Sequence, residues 1–167
     1  MASELDNEPK WEGKATAELH KPTADQVWPL LGDFFSFHKW LPSLDTCRQV
    51  EGGVGQLRYC ASTRPPPPEG GEGVVKWCHE KLLDIDPVDK WLSYEILANN
   101  MGFKGYKATI KVLPIKGEDD LIKSGCMIEW SFSADPVEGL SYEDLVKYFD
   151  FSIQGIAQNL EKALETN

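Results

Sequence analysis

Two charged side chains in this sequence sit among apolar neighbours in a pattern that chemistry on a sheet could use. Glu80 stands in the run Trp77-Cys78-His79-Glu80-Lys81-Leu82. Alternation along a strand puts Cys78, Glu80 and Leu82 on one face and His79 and Lys81 on the other. The carboxyl is therefore expected to point inward. Arg58 shares its face with Gln56 and Cys60, while Leu57 and Tyr59 point the other way. Alternation alone leaves open which of those faces is interior, and a β-bulge would exchange them. A carboxylate can move a proton at neutral pH when burial raises its pKa. A fixed guanidinium can hold an oxygen on which negative charge develops. The same two residues could instead form a structural ion pair, which would favour the charged carboxylate and spoil it as an acid. Tyr106 opens a run in which Tyr106, Ala108, Ile110 and Val112 alternate with Lys107, Thr109 and Lys111. It is expected in the core or in a cavity wall.

Other chemistries lack their residues. His20, His38 and His79 have no metal-ligand spacing. Cys47, Cys60, Cys78 and Cys126 fall one to a predicted strand and form no C-x-x-C pair. They read as buried free thiols in a reducing compartment, so a cytoplasmic location is expected. Gly52, Gly53 and Gly55 precede no helix and make no dinucleotide fingerprint. Neither a metal nor a cofactor is expected. The net charge of -10 over 167 residues argues against sequence-independent binding to nucleic acid or to an anionic membrane. No run approaches the roughly 18 apolar residues of a membrane span. Met1 to Lys10 is polar and acidic, neither a secretory signal nor a basic transit peptide. It is expected to be a flexible tail ahead of a single domain over residues 11–167.

The elements that must position these residues follow from periodicity. Trp11 to Leu19 alternates cleanly and predicts a strand with one wet side. Thr23-x-x-Gln26 predicts a helix start, with the helix running to about Phe34 and strained by Pro29. A second helical turn is expected from Ser36 to Leu41. Six strands follow: Leu44 to Val50, Gln56 to Ala61, Val74 to Asp86, Trp91 to Leu97, Tyr106 to Leu113 and Cys126 to Ala134. Gly52-Gly53 and an acidic turn over residues 116–120 separate some of them. Arg64 to Gly73, with four consecutive prolines, reads as a shaped loop between two strands. Ser141 then caps a helix reaching Asn167, about 40 Å long at 1.5 Å per residue. Its stripe is Leu145, Phe149, Ile153, Ile156, Leu160 and Leu164, widened by Tyr148, Ser152, Ala157 and Ala163. So long an apolar stripe needs a broad surface, and a curved sheet is the partner the rest of the chain supplies.

This order resembles the helix-grip fold of the START and birch-pollen-allergen superfamily, which includes polyketide-cyclase-like proteins. The resemblance covers nearly the whole chain after the first ten residues. It implies an α+β fold: a seven-stranded antiparallel sheet wrapped around a long C-terminal helix, with two short helices between strands 1 and 2. Within the superfamily the chain is similar to the plant lachrymatory-factor synthase group. The similarity lies in Lys10-Trp11-Glu12-Gly13-Lys14, Phe37-His38-Lys39 with Leu41-Pro42-Ser43-Leu44, and Leu57-Arg58-Tyr59. It continues through Trp77-Cys78-His79-Glu80-Lys81-Leu82, Gly105-Tyr106-Lys107-Ala108-Thr109 and Trp130-Ser131-Phe132.

The resemblance implies a cavity between sheet and helix for a small hydrophobic or amphipathic ligand. Trp130 and Phe132 would line it from the sheet or else fill plain core, and Phe149 and Ile153 would line it from the helix. Arg58 and Glu80 match the pair essential to the synthase group, which places Arg58 in the interior, and Tyr106 would orient the substrate. The implied reaction rearranges an alkenyl sulfenic acid to a thial S-oxide without cofactor. A non-catalytic carrier or sensor of a small ligand is the rival. A hormone receptor of the abscisic-acid type is set aside, because neither a Ser-Gly-Leu-Pro gate near Pro65 to Pro68 nor a His-Arg-Leu latch near Asn99 to Gly105 is present. A monomer is expected, since one chain can satisfy its own edge strands and long helix.

Overall fold

The computed structural model describes residues 10–50, 56–66, 68–116 and 122–165. The expected tail up to residue 9, Gly52, Gly53, Gly55, Pro67, the turn at 117–120 and the last two residues lie outside them. The strands are β1 Trp11–Leu19, β2 Thr46–Gln49, β3 Leu57–Arg64, β4 Val74–Asp86, β5 Trp91–Asn99, β6 Lys107–Lys116 and β7 Ile122–Ala134. They form one antiparallel sheet in the order β1-β7-β6-β5-β4-β3-β2. Helix α1, Ala24–Leu31, and a 3-10 segment, Phe34–Lys39, lie between β1 and β2; helix α2, Tyr142–Glu165, ends the chain. This is the expected α+β helix-grip arrangement.

Local chemistry sets the boundaries. Thr23 closes a capping box: Gln26 N donates to its Oγ1 at 3.3 Å, and Thr23 N donates to Gln26 Oε1 at 2.9 Å. Helix α1 stops at Leu31, short of Phe34, because Gly32 takes the C-cap and Asp33 caps a new segment. The Asp33 carboxylate accepts from Phe35 N at 3.2 Å and from Ser36 Oγ at 2.8 Å. Phe34 is buried all the same. Pro29, which has no N–H to give, sits near the end of an eight-residue helix and does not kink a longer one. Strand β3 continues past Ala61 to Arg64 because β4 pairs with it as far as Val74 and proline begins only at residue 65.

Helix α2 buries the stripe that its spacing predicts. Leu145, Phe149, Ser152, Ile153, Ile156, Ala157 and Leu160 face the sheet. Tyr148 departs from the stripe: it is exposed, and its hydroxyl meets Ser43 Oγ at 2.8 Å. The helix also lies along edge strand β1. Tyr142 Oη donates to Glu12 O, and Gln154 Nε2 donates to Thr16 O at 3.2 Å. Carbonyls that a sheet edge would offer to another chain are thus used within this one.

A single glycine fits the sheet to the aromatic core. Gly13 pairs with Phe132 across β1 and β7. A Cβ at Gly13 would stand 2.5 Å from Phe132 Cε1. That ring cannot swing aside, because it stacks on Tyr106 and Phe149 with interplanar angles of 7° and 11°. Gly13→Ala is expected to destabilise the fold by about 1–3 kcal/mol through overpacking. Thermal unfolding checks it, and an unchanged midpoint would mean that the stack is looser than its geometry.

Candidate functional site

Strands β3 and β4 set Arg58 directly opposite Glu80, and both are buried, at 2% and 7% exposure. Arg58 Nε donates to Glu80 Oε1 at 2.8 Å, and Nη2 approaches the same oxygen at 2.7 Å. Nη1 donates to Phe34 O at 2.5 Å. The guanidinium carbon lies 3.9 Å from the Phe34 ring centroid, 5.0 Å from Phe37 and 4.9 Å from Tyr94. Burial works against the cation, but the Glu80 carboxylate and the surrounding acceptors outweigh it and raise the Arg58 pKa above its ordinary value. Arg58 is therefore a permanent positive charge held in a cage of three rings. The fork is not bidentate. Two nitrogens converge on one oxygen, and Nη2 is left without a well-aligned acceptor. Glu80 Oε2 takes no hydrogen bond from Arg58.

Between the sheet and α2 lies a cavity of about 550 Å³. That size suits a small organic guest. Its inner wall holds Phe37, Cys60, Cys78, Glu80, Tyr94, Tyr106, Trp130 and Phe149. Leu41, Leu44, Ile96, Met101, Val137 and Leu145 add aliphatic surface, and the polar groups of the inner wall are one carboxylate, two thiols and two phenols. The exposed residues Arg64, Lys76, Asn100, Glu138 and Asp144 mark where it meets solvent. Aromatic packing shapes the floor: Phe149 meets Trp130 edge-on at 4.4 Å between centroids, and Phe37 meets Trp130 edge-on at 5.7 Å.

The two phenols are hydrogen-bonded to each other. Trp130 Nε1 donates to Tyr94 Oη at 3.1 Å, which occupies an acceptor site on that oxygen. Burial, then the charge of Glu80, raises the Tyr94 pKa. Burial, then Tyr94, raises that of Tyr106. Both stay neutral hydroxyls over the physiological range, and with one proton spent between them the pair keeps one to donate.

The structure divides the residues singled out in the sequence. Glu80, Tyr106, Trp130 and Phe149 line the cavity. Arg58, Phe132 and Ile153 are not among the residues that border it. Arg58 lies behind the wall, engaged by Glu80, Phe34 O and the rings. Phe132 lies beneath Tyr106 and Phe149, whose rings cover it. Ile153 sits one helical turn beyond Phe149 and packs with Leu31, Ile110, Ile128 and Ile156. Tyr94 is the residue that the sequence reading passed over. Leu92, Tyr94 and Ile96 alternate, which was signal enough for an inward tyrosine needing a hydroxyl partner.

All four cysteines are buried and free. Among the described residues no group of three or more His, Cys, Asp or Glu converges as a metal site, and no helix is long and apolar enough to cross a membrane.

A family model described as polyketide cyclase/dehydrase and lipid transport matches residues 11–165. Solved structures share the fold. The protein XoxI from Bacillus cereus is 25% identical, with a TM-score of 0.67 over 91% of this chain and 94% of that one. An uncharacterized protein from Bacillus thuringiensis is 22% identical, with a TM-score of 0.67 over 89% and 98%. A START superfamily protein from Mycobacterium smegmatis is 12% identical, with a TM-score of 0.63 over 95% and 99%.

Proposed function

The chain belongs to the polyketide cyclase/dehydrase and lipid transport family, and from that premise we propose that its cavity binds a small amphipathic molecule. One observation carries this reading. The cavity of about 550 Å³ is walled by aromatic rings and has Glu80 set into it, with one oxygen held by Arg58 and the other clear of it. A guest with an apolar body and a hydrogen-bond donor at its polar end meets all of these features. The hydrogen-bonded Tyr94–Tyr106 pair supplies a hydroxyl donor for an oxygen on the same guest. The protein does this as a monomeric, cytoplasmic single domain over residues 11–167, without cofactor or metal.

The finer proposal follows the resemblance to the lachrymatory-factor synthase group. In an alkenyl sulfenic acid the S–O–H proton leaves oxygen and a C–H bond forms at the alkenyl carbon distal to sulfur. The C=C π pair becomes that C–H bond, a sulfur lone pair makes C=S, the pair released by the O–H bond stays on oxygen, and the product is a thial S-oxide. Glu80 Oε2 accepts that proton and returns it to carbon. Tyr106 holds the S–O oxygen. Arg58 touches no substrate; it is a positioning residue that fixes Glu80. A passive carrier is the second reading, and the Arg58–Glu80 contact favours it, because a buried ion pair of this kind needs no reaction to account for it.

Glu80→Gln separates the two, since it keeps the shape and removes the proton carrier. Displacement of an apolar fluorescent probe should persist. Thial S-oxide formation from a sulfenic acid generated in situ, followed by mass spectrometry, should fall by roughly 10²–10⁴-fold. Wild-type protein that binds the probe yet makes no product above the protein-free rate leaves the carrier reading. Failure to take up any apolar probe sinks both.

A further inference from the structure

Three cysteines stand in register across the concave face. Cys47 pairs with Cys60 between β2 and β3, and Cys60 pairs with Cys78 between β3 and β4. Cys60 and Cys78 line the cavity; Cys47 lies behind Cys60 and does not. Cys60 Sγ is 3.8 Å from Cys47 Sγ and 3.6 Å from Glu80 Oε1. We propose that Cys60 is a covalent modification site for activated sulfur compounds entering the cavity, with Cys47 as its resolving thiol. The proposal rests on the reading that the cavity admits a small guest; it does not require that the guest be rearranged.

The order of the two thiols follows from the ladder. Val50 N donates to Leu57 O at 2.9 Å, which makes that a hydrogen-bonded pair. Counting inward, Cys47 and Cys60 are a non-hydrogen-bonded pair, where opposed Cα atoms lie about 4.5 Å apart and side chains approach most closely. Leu82 N donates to Gln56 O at 2.8 Å, so the same count makes Cys60 and Cys78 a hydrogen-bonded pair, about 5.5 Å apart. Both separations fall within the span of a disulfide, but the sulfurs of Cys47 and Cys60 are already in contact.

The steps balance. For a compound R–S–X, Cys60 Sγ attacks the sulfur of R–S, the S–X bond breaks, and the thiol proton passes by way of Glu80 to the leaving group as HX. For a sulfenic acid X is hydroxyl and HX is water. Cys47 Sγ then attacks Cys60 Sγ of the mixed disulfide, forming Cys47–Cys60 and releasing R–SH, which carries away the Cys47 proton. The protein dithiol is oxidised and the sulfur compound is reduced to a thiol. The Cys60 contact and then burial raise the Cys47 pKa; at Cys60 the Cys47 contact lowers it, but the Cys78 contact and burial outweigh that, so both thiols stay protonated at neutral pH. Such thiols stay inert to weak electrophiles, and the carboxylate beside Cys60 is the base that attack on an activated sulfur requires.

Methyl methanethiosulfonate, a small neutral thiol reagent, tests this on the full chain by intact mass and peptide mapping. Wild type should lose two hydrogens, with a mapped Cys47–Cys60 disulfide. Cys47→Ser should stop at one methylthio group on Cys60. Cys60→Ser should leave Cys47 unmodified, and Cys60→Ala, matched to wild type in far-UV circular dichroism, should repeat that result. Glu80→Gln should slow modification at least tenfold. A disulfide mapped to Cys60–Cys78, or Cys47 modified in the Cys60 variants, would overturn the assignment. An apolar probe that binds while Cys60 stays unmodified would sink this proposal and leave ligand binding intact; loss of both would sink the cavity reading itself.

Discussion

Arg58→Met is expected to lower the unfolding free energy by about 3–5 kcal/mol, the usual loss when one partner of a buried ion pair is removed. Arg58 is 2% exposed, and it is the group that donates to Glu80 Oε1. Methionine would fill much of its volume among Phe34, Phe37 and Tyr94, so a cavity is not the main cause. The cause is a buried carboxylate left without its cation, and a Phe34 carbonyl left with only the weak Cys47 thiol as donor. Urea denaturation measures the loss, with an unchanged slope showing that the unfolded state is unaltered. The double variant Arg58→Met with Glu80→Leu should recover most of it, because apolar replacement of a buried pair is often neutral or better. A single variant as stable as wild type would show that water in the cavity solvates Glu80 well enough to replace arginine.

Phe149→Ala is the second large effect, at about 3–5 kcal/mol. Phe149 is 3% exposed and stands where the sheet and helix meet. Its ring stacks on Phe132 at 4.4 Å and meets Trp130 edge-on at 4.4 Å. The expected signature has two parts. Stability falls, and the space opened joins the existing cavity, so bulkier apolar probes should bind more tightly than they do to wild type. Phe151 is the internal control. It lies two residues along the same helix but is 79% exposed. Phe151→Ala should move stability by no more than about 0.5 kcal/mol. Equal losses at the two positions would mean that the helix, and not the aromatic stack, is what the substitutions disturb.

The contrast between those two phenylalanines shows what periodicity carries. Leu145, Phe149, Ile153, Ile156 and Leu160 repeat at helical spacing, and Phe151 falls outside the stripe, so burial along α2 was legible from the sequence. The alternation of β1 and β6 was equally plain, because one face of each strand meets water. Turn and cap residues, such as Thr23 and Ser141, marked where elements begin. Strand ends were less legible, since a strand stops where its partner stops pairing: β3 reaches Arg64 because β4 does.

The sequence by itself determined the order of elements, the capped helix starts and the inward face of each well-alternating strand, because these depend on neighbours three or four residues away. It did not determine which inward side chains border empty space. Arg58, Phe132 and Ile153 point inward yet lie behind other side chains, while Tyr94 lies in front. Depth in a cavity depends on sheet curvature, on bulges such as those that break the β4–β5 pairing beside Glu80 and Leu82, and on rings contributed by the 3-10 segment and α2. Those are sums over residues far apart in the chain, so only the folded chain could set them.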